Sequence, residues 1–224
     1  ATTDRRPGSS EILAGTLSAL PAPQPQPPWP SRPGGASTAD QRVVMHGVSW
    51  THYEAHLAMR GEKSVPRIAY LRGTLELTRL SRDHERLSSL IGRLIEVYAE
   101  ERNIQAAPHR SWTLKHSDDA GAEPDECYLF GADETKHRPD LVIEVVWTSG
   151  GLDKLEIYRA LEIAETWVWI DARIEVHALR ADGYARVARR RWLPELDPAL
   201  LCSFLDRPTV NAKREFRAAL RQRP

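Results

Sequence analysis

The feature that most constrains this chain is a carboxylate set inside a segment that otherwise reads as core. From Leu141 to Trp147 the sequence is Leu-Val-Ile-Glu-Val-Val-Trp, an apolar, mostly β-branched run interrupted once, at Glu144. Such a run suits a strand buried on both faces. Taking a carboxylate out of water costs several kcal/mol unless a cation or a hydrogen-bond donor meets it. The chain must therefore build a sheet and bring a partner for Glu144 into it.

The neighbouring segments supply candidates. Glu123-Pro124-Asp125 leads into a strand-like stretch from Glu126 to Phe130, and Leu152-Asp153-Lys154 follows the turn Thr148-Ser149-Gly150-Gly151. Two acidic side chains can hold Mg²⁺ or Mn²⁺ through oxygen, leaving positions for water and a substrate phosphate. A lysine beside them acts as a point charge that orients the attacking water or stabilises the charge of the transition state. Asp125 and Glu144 are the candidate metal ligands and Lys154 the candidate catalytic cation, which together suit phosphodiester hydrolysis. A Pro-Asp pair by itself is commonly a turn; the strand after Asp125 and the buried-looking Glu144 argue for a ligand. Asp140 is the competitor, since alternation puts it on the same strand face as Glu144.

These residues also carry a resemblance. Glu-Pro-Asp-Glu-Cys-Tyr at 123–128, Pro-Asp-Leu-Val-Ile-Glu-Val at 139–145 and Thr-Ser-x-x-Leu-Asp-Lys-Leu-x-Ile-Tyr at 148–158 resemble the Uma-type restriction endonuclease family, which is bacterial and abundant in cyanobacteria. The likeness extends to Gly73-Thr74-Leu75-Glu76-Leu77, Asp83-His84-Glu85 and Trp167-Val168-Trp169, and so spans roughly Ser49 to Leu205. It implies the PD-(D/E)XK nuclease fold, a divalent metal, a nucleic-acid substrate, and accessory places at the site for Glu76 and His84. In the usual PD-(D/E)XK pattern the lysine lies two residues after the glutamate on the same strand, and Val146 occupies that position here. Members of the Uma type place it on the following helix, where this chain has Lys154. They commonly have Ser-Pro-Ser at the intervening turn, where this chain has Thr148-Ser149-Gly150.

Composition sets the bounds. The 224 residues suffice for one domain of ordinary size with a tail. Lys plus Arg and Asp plus Glu are both 31, so no overall positive field draws in nucleic acid, and any such contact must be local. Cys127 and Cys202 lie in unrelated segments without metal-ligand spacing, which suits a reducing cytoplasm. No apolar run approaches the roughly 18 residues of a membrane span.

Residues 1–40 contain half of the 16 prolines and read as a disordered or polyproline tail. Pro27-Pro28-Trp29-Pro30 within it is a linker or a ligand for a proline-binding domain. Ile12 to Leu20 is broken by Gly15, Thr16 and Ser18, which argues against a secretory signal. Residues 41–224 then form the domain. Ser49 caps a helix to about Arg60, ended by Gly61; Arg67 to Leu71 and Leu75 to Thr78 are strands joined at Arg72-Gly73. Ser81 or Asp83 starts a helix whose apolar face is Leu87, Leu90, Ile91, Leu94, Ile95 and Tyr98. His84, in its first turn, either approaches the metal or helps the cap, and Glu76 is either an exposed strand residue or part of the site.

Beyond that helix, Ile104 to Ala107 and Trp112 to Lys115 are short strands, and Ser117 to Ala122 is turn-rich. Leu155 and Tyr158 face the core from the helix after the Gly150-Gly151 turn. Thr166 to Ile170 is a strand, and Arg173 to Leu179 with Tyr184 to Arg190 a hairpin across Ala181-Asp182-Gly183. It ends in Arg186, Arg189, Arg190 and Arg191, which are either solvated surface or a phosphate contact. Asp197 to Leu205 and Asn211 to Arg221 are helical.

The expected architecture is thus α/β, a restriction-endonuclease-like core with a mixed central β-sheet flanked by helices. The expected function is Mg²⁺- or Mn²⁺-dependent hydrolysis of nucleic acid, DNA first, in the cytoplasm and away from membranes; a homodimer is allowed but not specified. The alternative is a nuclease fold without catalysis that binds nucleic acid or a protein, favoured by Val146 and the neutral charge balance. The two part on geometry: an active enzyme must bring the head groups of Asp125, Glu144 and Lys154 to one cleft.

Overall fold

The structure, a computed structural model, describes residues 39–224 apart from 111, 117, 148–150 and 223–224. The described residues belong to the second of the two units into which the chain divides, Gly35–Pro224. The tail up to residue 38 and the turn residues Thr148-Ser149-Gly150 lie outside the described residues.

In chain order the elements are β1 (Gln41–His46), α1 (Trp50–Arg60), β2 (Arg67–Leu71), β3 (Thr74–Arg79), α2 (Arg82–Glu101), β4 (Ala106–Pro108), β5 (Leu114–His116) and β6 (Ala120–Ala122). There follow β7 (Glu126–Phe130), β8 (Leu141–Val145), α3 (Lys154–Ala160), β9 (Glu165–Ile170), β10 (Arg173–Arg180), β11 (Gly183–Arg186), α4 (Pro198–Cys202) and α5 (Thr209–Arg221). They make two sheets. One is antiparallel with order β1-β3-β2-β6-β5; the other has order β11-β10-β9-β8-β7-β4 and is mixed, because β8 and β9 run parallel. The parallel pair requires a crossover, and α3 lies in it.

The six-stranded sheet is the spine of the core. All five residues of β8 are buried. On one face Leu141, Ile143 and Val145 share a core with α2 residues Leu90, Ile91 and Leu94 and with Phe216 of α5. On the other face Val142 packs with Cys127, Ile157 and Tyr158, on the α3 side. Each large apolar side chain so buried contributes about 1.5–3 kcal/mol, which is why the helical period of α2 is as strict as its sequence shows. Ser81 caps α2, its hydroxyl accepting from the His84 amide at 3.2 Å. No helix among the described residues is long and apolar enough to cross a membrane.

The mixed sheet with flanking helices agrees with the sequence reading, and the second sheet is an addition to it. β1 escapes notice because its residues are mostly exposed or half-buried and show no alternation. β6 (Ala-Gly-Ala) lies inside the stretch read as turn-rich. Its small residues are required by packing: a Cβ on Gly121 would run into the Tyr53 ring. The hairpin arm β11 stops at Arg186 rather than Arg190.

Candidate active site

Register brings the two candidate carboxylates together. Glu126 pairs with Ile143 across the antiparallel β7–β8 ladder, so Asp125, one residue earlier, stands opposite Glu144, one residue later. Residues opposed in this way present their side chains on the same face. Asp125 and Glu144 are 3% and 5% exposed. Both line a cavity of about 380 Å³, and Lys154, His84 and Glu76 line it too.

Asp125 is held by donors on several sides. Its Oδ2 accepts from the Val145 amide and from His84 Nε2, each at 2.9 Å. Arg67 Nη1 is 3.9 Å from Oδ1 and is fixed by donating to the Pro124 carbonyl at 2.5 Å. Burial alone would push this carboxyl upward; the hydrogen bond and charge of His84, with Arg67 and the Val145 amide, outweigh it and hold the value at about 2. His84 Nδ1 meets Asp40 Oδ2 at 2.8 Å. Burial disfavours the imidazolium, but Asp125 and Asp40 together raise its pKa to about 9, so His84 is charged at neutral pH and donates from both nitrogens.

Glu144 receives its partners from α3. The Tyr158 hydroxyl donates to Oε1, and Lys154 Nζ lies 3.8 Å from Oε2. Lys154 and Tyr158 are one turn apart on the same helical face, so a single helix meets both oxygens of the buried carboxylate. Burial pushes the Glu144 carboxyl above its ordinary value, Lys154 pulls it down, and the Asp125 charge opposite raises it again. Burial likewise keeps the Tyr158 hydroxyl protonated, hence a donor. Lys154 opens α3 just after Asp153, whose Oδ1 accepts from the Leu155 and Glu156 amides at 2.9 and 3.2 Å. That cap places a negative charge at the positive end of the helix and offsets the unfavourable position of a lysine there.

Glu76 is buried rather than exposed. Its Oε2 accepts from the Leu152 amide at 2.8 Å and lies 3.4 Å from Arg42 Nε, and its Oε1 accepts from Thr78 Oγ1 at 3.0 Å. Asp140 does not join the site: its Oδ2 accepts from the Phe130 amide at 2.8 Å and from Lys136 Nζ at 2.5 Å. The arginine cluster divides: Arg189, Arg190 and Arg191 line one cavity, which Arg186 does not. Arg186 pairs with Glu175 at 2.9 Å, while Arg190 donates to the carbonyls of Ala188 and Pro194.

The donor set suits a small hard cation. Asp125 Oδ1 and Glu144 Oε2 face Arg67 and Lys154 only at 3.9 and 3.8 Å, beyond hydrogen-bond length. Among the described residues no group of three His, Cys, Asp or Glu side chains could hold a metal. A cation placed between Asp125 and Glu144 would have two carboxylates and would take its remaining ligands from water and substrate oxygens, as Mg²⁺ commonly does. His84 spends both ring nitrogens on carboxylates, Nδ1 on Asp40 at 2.8 Å and Nε2 on Asp125 at 2.9 Å.

Three members of the cluster escape sequence reasoning. Asp40, at the end of the stretch read as tail, has a side chain only 2% exposed. Arg67 reads as an ordinary strand start. Tyr158 reads as core and is core, but its hydroxyl serves Glu144; the four-residue spacing from Lys154 is the signal that could have revealed it.

Comparison with known proteins bears on the same segment. A family model, Uma2, described as "Putative restriction endonuclease", matches residues 50–206. The chain is similar to the crystal structure of a "putative nuclease belonging to DUF820" from Anabaena variabilis, at 13% identity and a TM-score of 0.41, over 71% of this chain and 96% of that one. No curated protein matches.

Proposed function

Since the chain belongs to the Uma2 family, we propose that it is a metal-dependent endonuclease that hydrolyses phosphodiester bonds, with DNA as substrate. The observation that carries the reading is the meeting of Asp125, Glu144 and Lys154 at one cavity. Asp125 and Glu144 would hold Mg²⁺ or Mn²⁺, which supplies Lewis-acid charge at a phosphoryl oxygen and acidifies a bound water. Lys154, at 26% exposure the most accessible of the three side chains, meets the phosphate and orients the attacking water. Tyr158 fixes Glu144 and leaves Oε2 toward Lys154. His84 and Arg67 keep Asp125 ionised. Val146, in the position of the usual strand lysine, also lines the cavity; Lys154 takes its role from the start of α3. The two free cysteines fit a cytoplasmic setting.

A nuclease fold that only binds nucleic acid or a protein is the second reading, and it rests on that valine. Incubation with supercoiled plasmid separates the two. Nicking with Mg²⁺ or Mn²⁺ that stops with chelator supports the enzyme, and plasmid left intact in both metals supports the binding module.

A further inference from the structure

Resting on the nuclease reading, we propose that Glu76 is a positioning residue that ties the entry of α3 to β3 and so sets where Lys154 stands beside Glu144. The tie is a hydrogen bond between elements far apart in sequence. Glu76 Oε2 accepts from the Leu152 amide at 2.8 Å, two residues before Lys154. The carboxylate is itself fixed, by Thr78 Oγ1 at 3.0 Å and by Arg42 Nε at 3.4 Å. Gly151 shows how close the approach is: its φ is +106°, and a Cβ there would run into Glu76 Oε2 and the Arg42 side chain. Leu152 is pinned by Glu76 and the next residue, Asp153, caps the helix, so two successive anchors fix the backbone ahead of Lys154. Misplacing a catalytic group by about 1 Å costs on the order of 10²-fold in rate. Glu76 therefore acts through the lysine, touching neither metal nor phosphate.

The test compares wild type, Glu76→Ala and Glu76→Gln, since the glutamine carbonyl can still accept from the Leu152 amide. Three quantities are read: single-turnover cleavage of DNA with Mn²⁺, Mn²⁺ affinity by electron paramagnetic resonance, and amide exchange across residues 151–158. The alanine variant is expected to lose about 10²-fold in the saturating single-turnover rate with the half-saturating enzyme concentration unchanged, to bind Mn²⁺ as wild type does, and to exchange the Leu152 amide faster. Glutamine should recover most of the rate and the protection. Gly151→Ala should reproduce the alanine variant by displacing the carboxylate. A glutamine variant as slow as alanine, with weakened Mn²⁺ binding, would make Glu76 a ligand and overturn the proposal. So would an alanine variant that cleaves at the wild-type rate. Should wild type itself not cleave, the nuclease reading fails alone. Leu152 exchange that is fast in alanine and slow in glutamine, at equal Mn²⁺ affinity, then upholds the tie, and equal exchange in both rejects it.

Discussion

His84 lies as an imidazolium between Asp40 and Asp125, and its charge ties stability to pH. Its folded pKa, about 9, lies above the ordinary 6.5. The stabilisation is therefore complete below about pH 6.5 and is lost as pH rises through 9. A shift of this size is worth on the order of 3 kcal/mol, counted once for the whole His84–carboxylate cluster. Replacing His84 by Asn should lower the melting temperature at pH 6 by roughly 6–12 °C for a chain of this length, and the gap should narrow by pH 9.5. Melting curves across that range decide it; a constant gap would contradict the account. At this scale the sequence was informative where the chemistry is local. Glu144 is conspicuous because its own neighbours are apolar. Asp40 and Arg67 could not be read, because each becomes meaningful only through contacts with distant residues: His84 with Asp40, and Asp125 with Arg67.

Among the elements, α3 brings Glu144 both of its partners. If Lys154 supplies the charge that the strand position of Val146 lacks, Lys154→Ala should lower cleavage by about 10²–10³-fold in a protein that still folds and binds Mn²⁺, with a lowered melting temperature because Glu144 loses one of its two partners. Single-turnover rates beside a Mn²⁺ titration check this, and cleavage near the wild-type rate would move the role to another residue. Elements with a strong internal period were legible: α2 through its apolar face and Ser81 cap, β8 through its unbroken apolar run. β1 and β6 were not, because neither owes its strand state to its own residues. β1 is placed by pairing with β3, and β6 by pairing with β2 and β5. β11 ends at Arg186, and farther along the Arg191 amide donates to Glu165 Oε2 at 2.5 Å.

For the whole molecule, the contacts of Asp40 bound the domain. Asp40 Oδ1 accepts from the Ser81 amide at 2.7 Å and Oδ2 meets His84, so the domain begins no later than Asp40. Removing residues 1–38, a proline-rich stretch without apolar periodicity, is expected to leave the melting temperature within about 2 °C. Removal through Asp40 should lower it further by about 2–8 °C, since it leaves buried donors unpaired; equal effects of the two truncations would contradict this. The central claim is that Asp125 and Glu144 hold a divalent cation. Without one, burial and the Asp125 charge raise the pKa of Glu144, so its ionisation costs stability as pH rises above the ordinary carboxyl range, and Glu144→Gln removes that cost. The most direct measurement is a pair of melting curves for wild type and Glu144→Gln at neutral pH, with and without Mg²⁺. The apo variant is expected to be at least as stable as wild type, Mg²⁺ to stabilise wild type according to RT ln(1 + [L]/Kd), and Mg²⁺ barely to move the variant. Equal Mg²⁺ shifts in the two proteins would contradict the claim.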